Sequence, residues 1–234
     1  MKRFYLFLVL AMVAVAPRLS AQSLEFSGET YHRTYAGYNI VNLNWDKSGD
    51  LNSILFPLTK GFTVGHLESA KLFDLSFPLL VEYGVSLQYN TGNEIEFLIG
   101  TRSEASSEYR VNTLAMNVPV HAALNLKLNK VSINPYLGVN FRINLLGNQT
   151  TTNKLGNTTT TTKMRLFDDS DEKGAAGDAA WERFQTGLSY GVSVGLGRYT
   201  VNLGFISDLM PLVDYDDDYT ARLNMTTISL GYAF

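Results

Sequence analysis

Apolar residues occupy every second position from Val131 to Leu145. Val131, Ile133, Pro135, Leu137, Val139, Phe141, Ile143 and Leu145 fall on one face. Ser132, Asn134, Tyr136, Gly138, Asn140, Arg142 and Asn144 fall on the other. A repeat of two means an extended strand with one greasy side. The same alternation returns over 77–90, 114–127, 184–196, 199–205 and 227–234, each time with Gly, Ser, Asn, Thr or an occasional charge opposite the apolar residues. Residues 35–46 (YAGYNIVNLNWD) add a less regular strand with Val41, Leu43 and Trp45 on one face, and 61–72 (GFTVGHLESAKL) another in which His66 and Glu68 share the face of Phe62 and Val64.

Eight strands result, most of them about 10–18 residues long and well above the five or six usual in soluble sheets. Their connections alternate. Those near 73–76, 128–130 and 197–198 are short, while those near 47–60, 91–108, 146–182 and 209–220 are long. Short turns at one end and long loops at the other are the layout of a membrane barrel with both chain ends on the periplasmic side. The polar face is poor material for a dry core and suits a narrow hydrated lumen, so the apolar face is predicted to meet lipid. A closed barrel satisfies every backbone group in hydrocarbon because it has no edge strand. Trp45, Tyr83, Tyr89, Tyr109, Tyr199 and Tyr232 fit interfacial girdles. Pro119 and Pro135 lack a ladder donor and predict bulges or strand ends. The fold class is thus all-β: an eight-stranded antiparallel up-and-down transmembrane β-barrel.

The start of the chain explains how such a barrel leaves the cytoplasm. Lys2 and Arg3 precede an apolar run from Phe4 to Ala16, with Ser20 and Ala21 before a cleavage point near Gln22. This is the layout of a cleaved secretory signal peptide, and the run is short for a membrane span. The expected organisation is a signal peptide over 1–21, a periplasmic segment over 22–34 that contains His32, and a barrel over 35–234. Removing Lys2, Arg3 and Arg18 from the 19 basic residues leaves 16 against 22 acidic ones, a formal −6. Nucleic acid is therefore not an expected partner. With no cysteine, the exported domain has no disulfide staple.

The signal peptide, the eight strands and the terminal MTTISLGYAF (225–234) resemble the small outer-membrane β-barrel proteins of Gram-negative bacteria. The segments PYLGVNFRINLL (135–146) and GLSYGVSVGLG (187–197) are similar in style to the PorT-like or porin-type barrel family of Bacteroidetes-type bacteria. The resemblance implies an outer-membrane location, with Tyr232 and Phe234 as the signal read by the barrel-assembly machinery. Lipid, lipopolysaccharide and envelope proteins are the partners it implies.

Eight strands enclose only enough room for side chains. Glu82, His121, Lys127, Arg142 and Gln185 are expected to fill the lumen, with a paired network around Glu82 and Arg142. No catalytic motif is present. His66 with Glu68 reads as a solvated strand end, and neither the 146–182 segment nor DYDDDY (214–219) has the ligand order of an EF-hand loop, so no metal and no cofactor are predicted. The Thr- and Asn-rich composition of 146–182 predicts a mobile external loop. Three roles follow: an interaction barrel working through its loops, a component of a secretion or transport assembly, or a narrow low-conductance pore.

Overall fold

The computed structural model describes residues 31–47, 59–74, 78–98, 105–128, 131–167, 181–214 and 219–234. Its regular elements are β1 (Tyr31–Lys47), β2 (Thr59–Asp74), β3 (Pro78–Leu98), β4 (Ala105–Leu124), β5 (Leu126–Leu128), β6 (Val131–Leu155), β7 (Thr158–Arg165), β8 (Phe184–Leu196), β9 (Tyr199–Asp208), β10 (Val213–Asp214) and β11 (Tyr219–Ala233). Eight of them pair antiparallel in the order β1-β2-β3-β4-β6-β8-β9-β11, and β11 pairs back onto β1 from Arg33↔Ala233 to Lys47↔Tyr219. The sheet is therefore a closed ring. Stepping through paired residues from His32 to Glu68, Tyr83, Val120, Val139, Leu188, Ser207 and Asn224 returns to β1 at Asn42, ten residues along. That stagger tilts the strands and leaves a bore that side chains can fill.

The polarity of the ring is inverted relative to a soluble protein. Phe62, Leu137, Leu196, Ile228 and Leu230 stand exposed on the outside, Phe62 and Leu230 at 67%. Asn39, Glu82, Gln88, Asn140, Arg142, Gln185 and Ser193 are buried within. A continuous apolar exterior around a polar interior is stable only against hydrocarbon, so the barrel spans a membrane. Aromatic pairs mark the end where β1 begins and β11 ends: Tyr199 packs edge-on against Tyr232 at 5.5 Å, and Tyr232 lies 6.2 Å from Phe234.

Four sequence expectations change. First, β1 begins at Tyr31, which places His32 in the barrel wall and not in a periplasmic segment. Residues 1–30, including the expected signal peptide, lie outside the described residues. Second, Val41 and Leu43 point inward, at 2% and 7% exposure, because the lumen is apolar at the loop end; the side chain of Trp45 is outside the described set. Third, Pro119 keeps register with Asn140, and only the β3–β4 ladder lapses beside it, between Tyr83↔Val120 and Ser86↔Asn117. Pro135 faces the break between β4 and β5. The actual irregularities lie between Lys71 and Phe73, and at Leu145, an extra residue opposite the Leu114–Ala115 step.

The fourth change concerns the loops. Residues 91–98 and 105–108 extend β3 and β4, and 146–165 form a hairpin of β6 with β7 that projects beyond the ring. Tyr109 belongs to this projection, in register with Glu94 and Thr151, and not to a girdle. Pairs such as Thr151↔Thr162 and Thr152↔Thr161 run along the hairpin, and threonine stacks well against threonine across strands. A two-residue turn closes the hairpin with Gly156 at φ 56°, the left-handed conformation that such turns require. Strand propensity and turn chemistry thus override the compositional expectation of mobility. Beyond the hairpin, Leu166, Phe167 and Trp181 are buried, and 168–180 are outside the described residues.

Close strand approach sets one stability prediction. Gly84 sits on the inner wall, where an added Cβ would overlap the His66 carbonyl oxygen and crowd the Leu67 backbone. Both obstacles are backbone, so relief requires moving a strand. Gly84→Ala is expected to destabilise the barrel by about 1–3 kcal/mol, read from its urea midpoint in detergent or vesicles.

Candidate functional site: the lumen and the rim of the barrel

Three polar layers and an apolar cap fill the bore. Nearest the end where β1 begins and β11 ends, Glu82 is the hub. Tyr31 donates its hydroxyl to Glu82 Oε1 at 2.5 Å, Ser69 donates to the same oxygen at 3.4 Å, and Arg33 Nη2 lies 3.8 Å from Oε2. Arg33 also donates Nη1 to Ser193 at 2.6 Å. His121 Nδ1 is 4.0 Å from Glu82 Oε2, its Nε2 is 2.9 Å from Ser189 Oγ, and its ring stacks on Tyr136 at 4.6 Å. Tyr136 in turn fills the space over the glycines at 191 and 204. Glycines on β8 and β9 thus make room for one aromatic side chain across the bore.

Above this, Asn140 donates to Asn117 at 3.1 Å and Asn117 to Gln88 at 2.9 Å. A cavity of about 70 Å³ lies among Arg33, Tyr35, His121, Tyr136 and Asn140, room for about two waters. Higher still, Arg142 donates to Asp208 in a charge-assisted hydrogen bond, with both side chains 1% exposed. Gln185, fully buried, donates to the carbonyls of Phe184 and Pro211. The loop end is closed by Leu43, Val111, Leu166, Phe167, Trp181, Leu212 and Ala221, with Phe167 edge-on to Trp181 at 5.8 Å. Arg183 anchors this cap by donating to the Phe167 carbonyl.

The lumen residues named from sequence therefore separate. Glu82 and His121 come together, but around Arg33. Arg142 belongs to a second pair higher up, and its partner is Asp208. Gln185 bonds to backbone beside that pair. Lys127 lies opposite Ser132 on the inward face but is exposed at the rim, on β5, away from both pairs. Two partners were missed. Asp208 continues the inward parity of Thr200, Asn202 and Gly204, and that signal was present in the sequence. Arg33 continues the inward parity of β1 once the strand is extended to Tyr31.

A second cluster lies on the outer wall at the terminal end. His32 faces Glu68 across the β1–β2 ladder, with Nδ1 3.8 Å from Oε1. His66, two residues from Glu68 on the same face, stacks against His32 with ring centroids 6.0 Å apart. Phe234 covers both rings at 6.4 and 6.1 Å. The sequence paired His66 with Glu68, and the third member became visible only with β1 extended.

Closed ladder, apolar belt and filled bore together define a small membrane-spanning β-barrel of eight strands. Three solved structures to which this chain is similar stand at low identity. Ail of Yersinia pestis, in complex with the heparin analogue sucrose octasulfate, is 12% identical over 88% of this chain and 100% of its own, with a TM-score of 0.36. Neisserial surface protein A is 11% identical over 88% and 97%, with a TM-score of 0.38. A major outer membrane protein from Thermus thermophilus is 12% identical over 88% and 100%, with a TM-score of 0.38. No family model and no curated protein matches the chain. The barrel assignment rests on the chain's own ladder and faces.

Proposed function

We propose that this is an outer-membrane barrel, non-enzymatic, whose bore is a structural plug and whose working surface is the sheet that rises beyond the membrane. The observation that carries the reading is the continuation of β3, β4, β6 and β7 past the apolar cap, from Asn90↔Thr113 to Leu98↔Ala105 and from Asn148↔Arg165 to Leu155↔Thr158. Long paired strands are an ordered platform. Among the described residues strand β7 pairs with β6 alone, and its other edge would suit an extended partner segment. The strands grouped below the cap are closed by paired charges and apolar packing, which favours a plug over a channel.

Replacing 149–164 by a short turn is the direct test. The shortened barrel is expected to keep its thermal midpoint while losing the companion proteins that co-migrate with the full chain in mild detergent. Envelope-protein partners, including those of the assembly role implied by the PorT-like resemblance, would dock on this platform. A companion set that stays with the shortened barrel would move the contact to the wall or the periplasmic rim. In planar bilayers the full chain is expected to show no steady conductance, and a stable open channel would overturn the plug.

A further inference from the structure

We infer that His32, His66 and Glu68 form a divalent transition-metal site, of the zinc type, on the outer wall at the end of the barrel where β1 begins and β11 ends. One nitrogen of each histidine and one carboxylate oxygen all lie within 4.8 Å of one another. Two imidazoles and a carboxylate are a donor set that suits zinc, with a further position left for water or a substrate group. The three side chains project from a rigid ladder: His32 is directly opposite Glu68, and His66 is two residues along the same face of β2. Zinc at its usual bond lengths needs donors about 3.3 Å apart, so side-chain rotation of roughly an ångström completes the triad.

The surroundings already orient the ligands. Thr34 Oγ1 lies 3.1 Å from His66 Nδ1, and in the tautomer whose Nδ1–H donates to that hydroxyl, Nε2 presents its lone pair to a metal. Tyr83 donates its hydroxyl to Glu68 Oε2 at 2.7 Å, holding that oxygen and presenting Oε1 toward His32. The His32 side chain is 45% exposed and that of Glu68 24%, so an ion has a path from water. Just above, the outward positions turn to Val64 and Phe62. The site therefore sits at the boundary of the apolar belt, where a metal would clip β1 to β2 beside the seam with β11.

Untagged folded barrel in detergent, titrated with zinc chloride by calorimetry, tests this. One ion per chain is expected, with a raised thermal midpoint because only the folded ladder assembles the ligands. His32→Ala, His66→Ala and Glu68→Gln should each weaken binding at least about tenfold and remove the thermal shift. All three side chains face outward, so an unchanged β-sheet circular dichroism spectrum shows that the variants fold. Cobalt(II) should give a visible spectrum that His66→Ala abolishes. Absence of stoichiometric binding, or binding that survives all three substitutions, overturns the site.

Discussion

Arg142→Ala is expected to lower the unfolding free energy of the barrel by about 3–5 kcal/mol, the range found when one member of a buried ion pair is removed. Asp208 would be left at 1% exposure with its Arg142 partner gone. Desolvation dominates the cost, so it should fall when both charges are taken away together. Arg142→Met with Asp208→Leu is expected to recover most of the loss, because a well-packed apolar pair carries no desolvation penalty. Urea unfolding of the barrel in lipid vesicles reads all three variants. A loss below about 1 kcal/mol for Arg142→Ala would mean that the pair is hydrated and that the upper bore is open to water.

The second large effect is at Glu82. Glu82→Ala removes the acceptor for Tyr31 and Ser69 and the counter-charge of Arg33 together, leaving Arg33 at 4% side-chain exposure with the Ser193 hydroxyl as its remaining partner among the described residues. The expected loss is again about 3–5 kcal/mol. Glu82→Gln separates the two contributions. Its amide oxygen still accepts from Tyr31, so the part due to hydrogen bonding, about 1–3 kcal/mol, is retained and the remainder measures the charge. Equal midpoints for the two variants would place the whole effect in the ion pair.

The strands that face lipid on one side and the bore on the other were legible because both neighbours constrain them. In β3, β4, β6 and β8 nearly every outward residue is apolar and nearly every inward residue is small or polar, so the period of two survives in the sequence. β1 was harder to read. Its outward positions include Thr34, Asn42 and Asn44, its inward Val41 is apolar and buried, and its inward Leu43 joins the apolar cap. The alternation there has no single polarity. Pairings inside the bore were less legible still. Which carboxylate meets Arg142 depends on the stagger accumulated around the ring, and Arg142 and Asp208 are 66 residues apart. Local pattern says that a side chain points inward, while register decides at what height it arrives. The His32, His66 and Glu68 cluster shows the same limit, since the β1–β2 register brings its members together and no spacing motif does.

The extra residue at Leu145 has a consequence for how one long strand serves two settings. Below it the lumen receives the even-numbered residues Asn140, Arg142 and Asn144; Leu145 and Leu146 both turn outward, and above them the buried position is Gly147. The strand has changed phase. That change puts a residue without a side chain under the Phe167 ring, where any Cβ would collide with it, and lets the Gly147 carbonyl accept from the Leu166 amide. The lid over the bore is seated by a shift of parity, so β6 can follow the rhythm of the membrane up to its edge and start a new one in the water beyond.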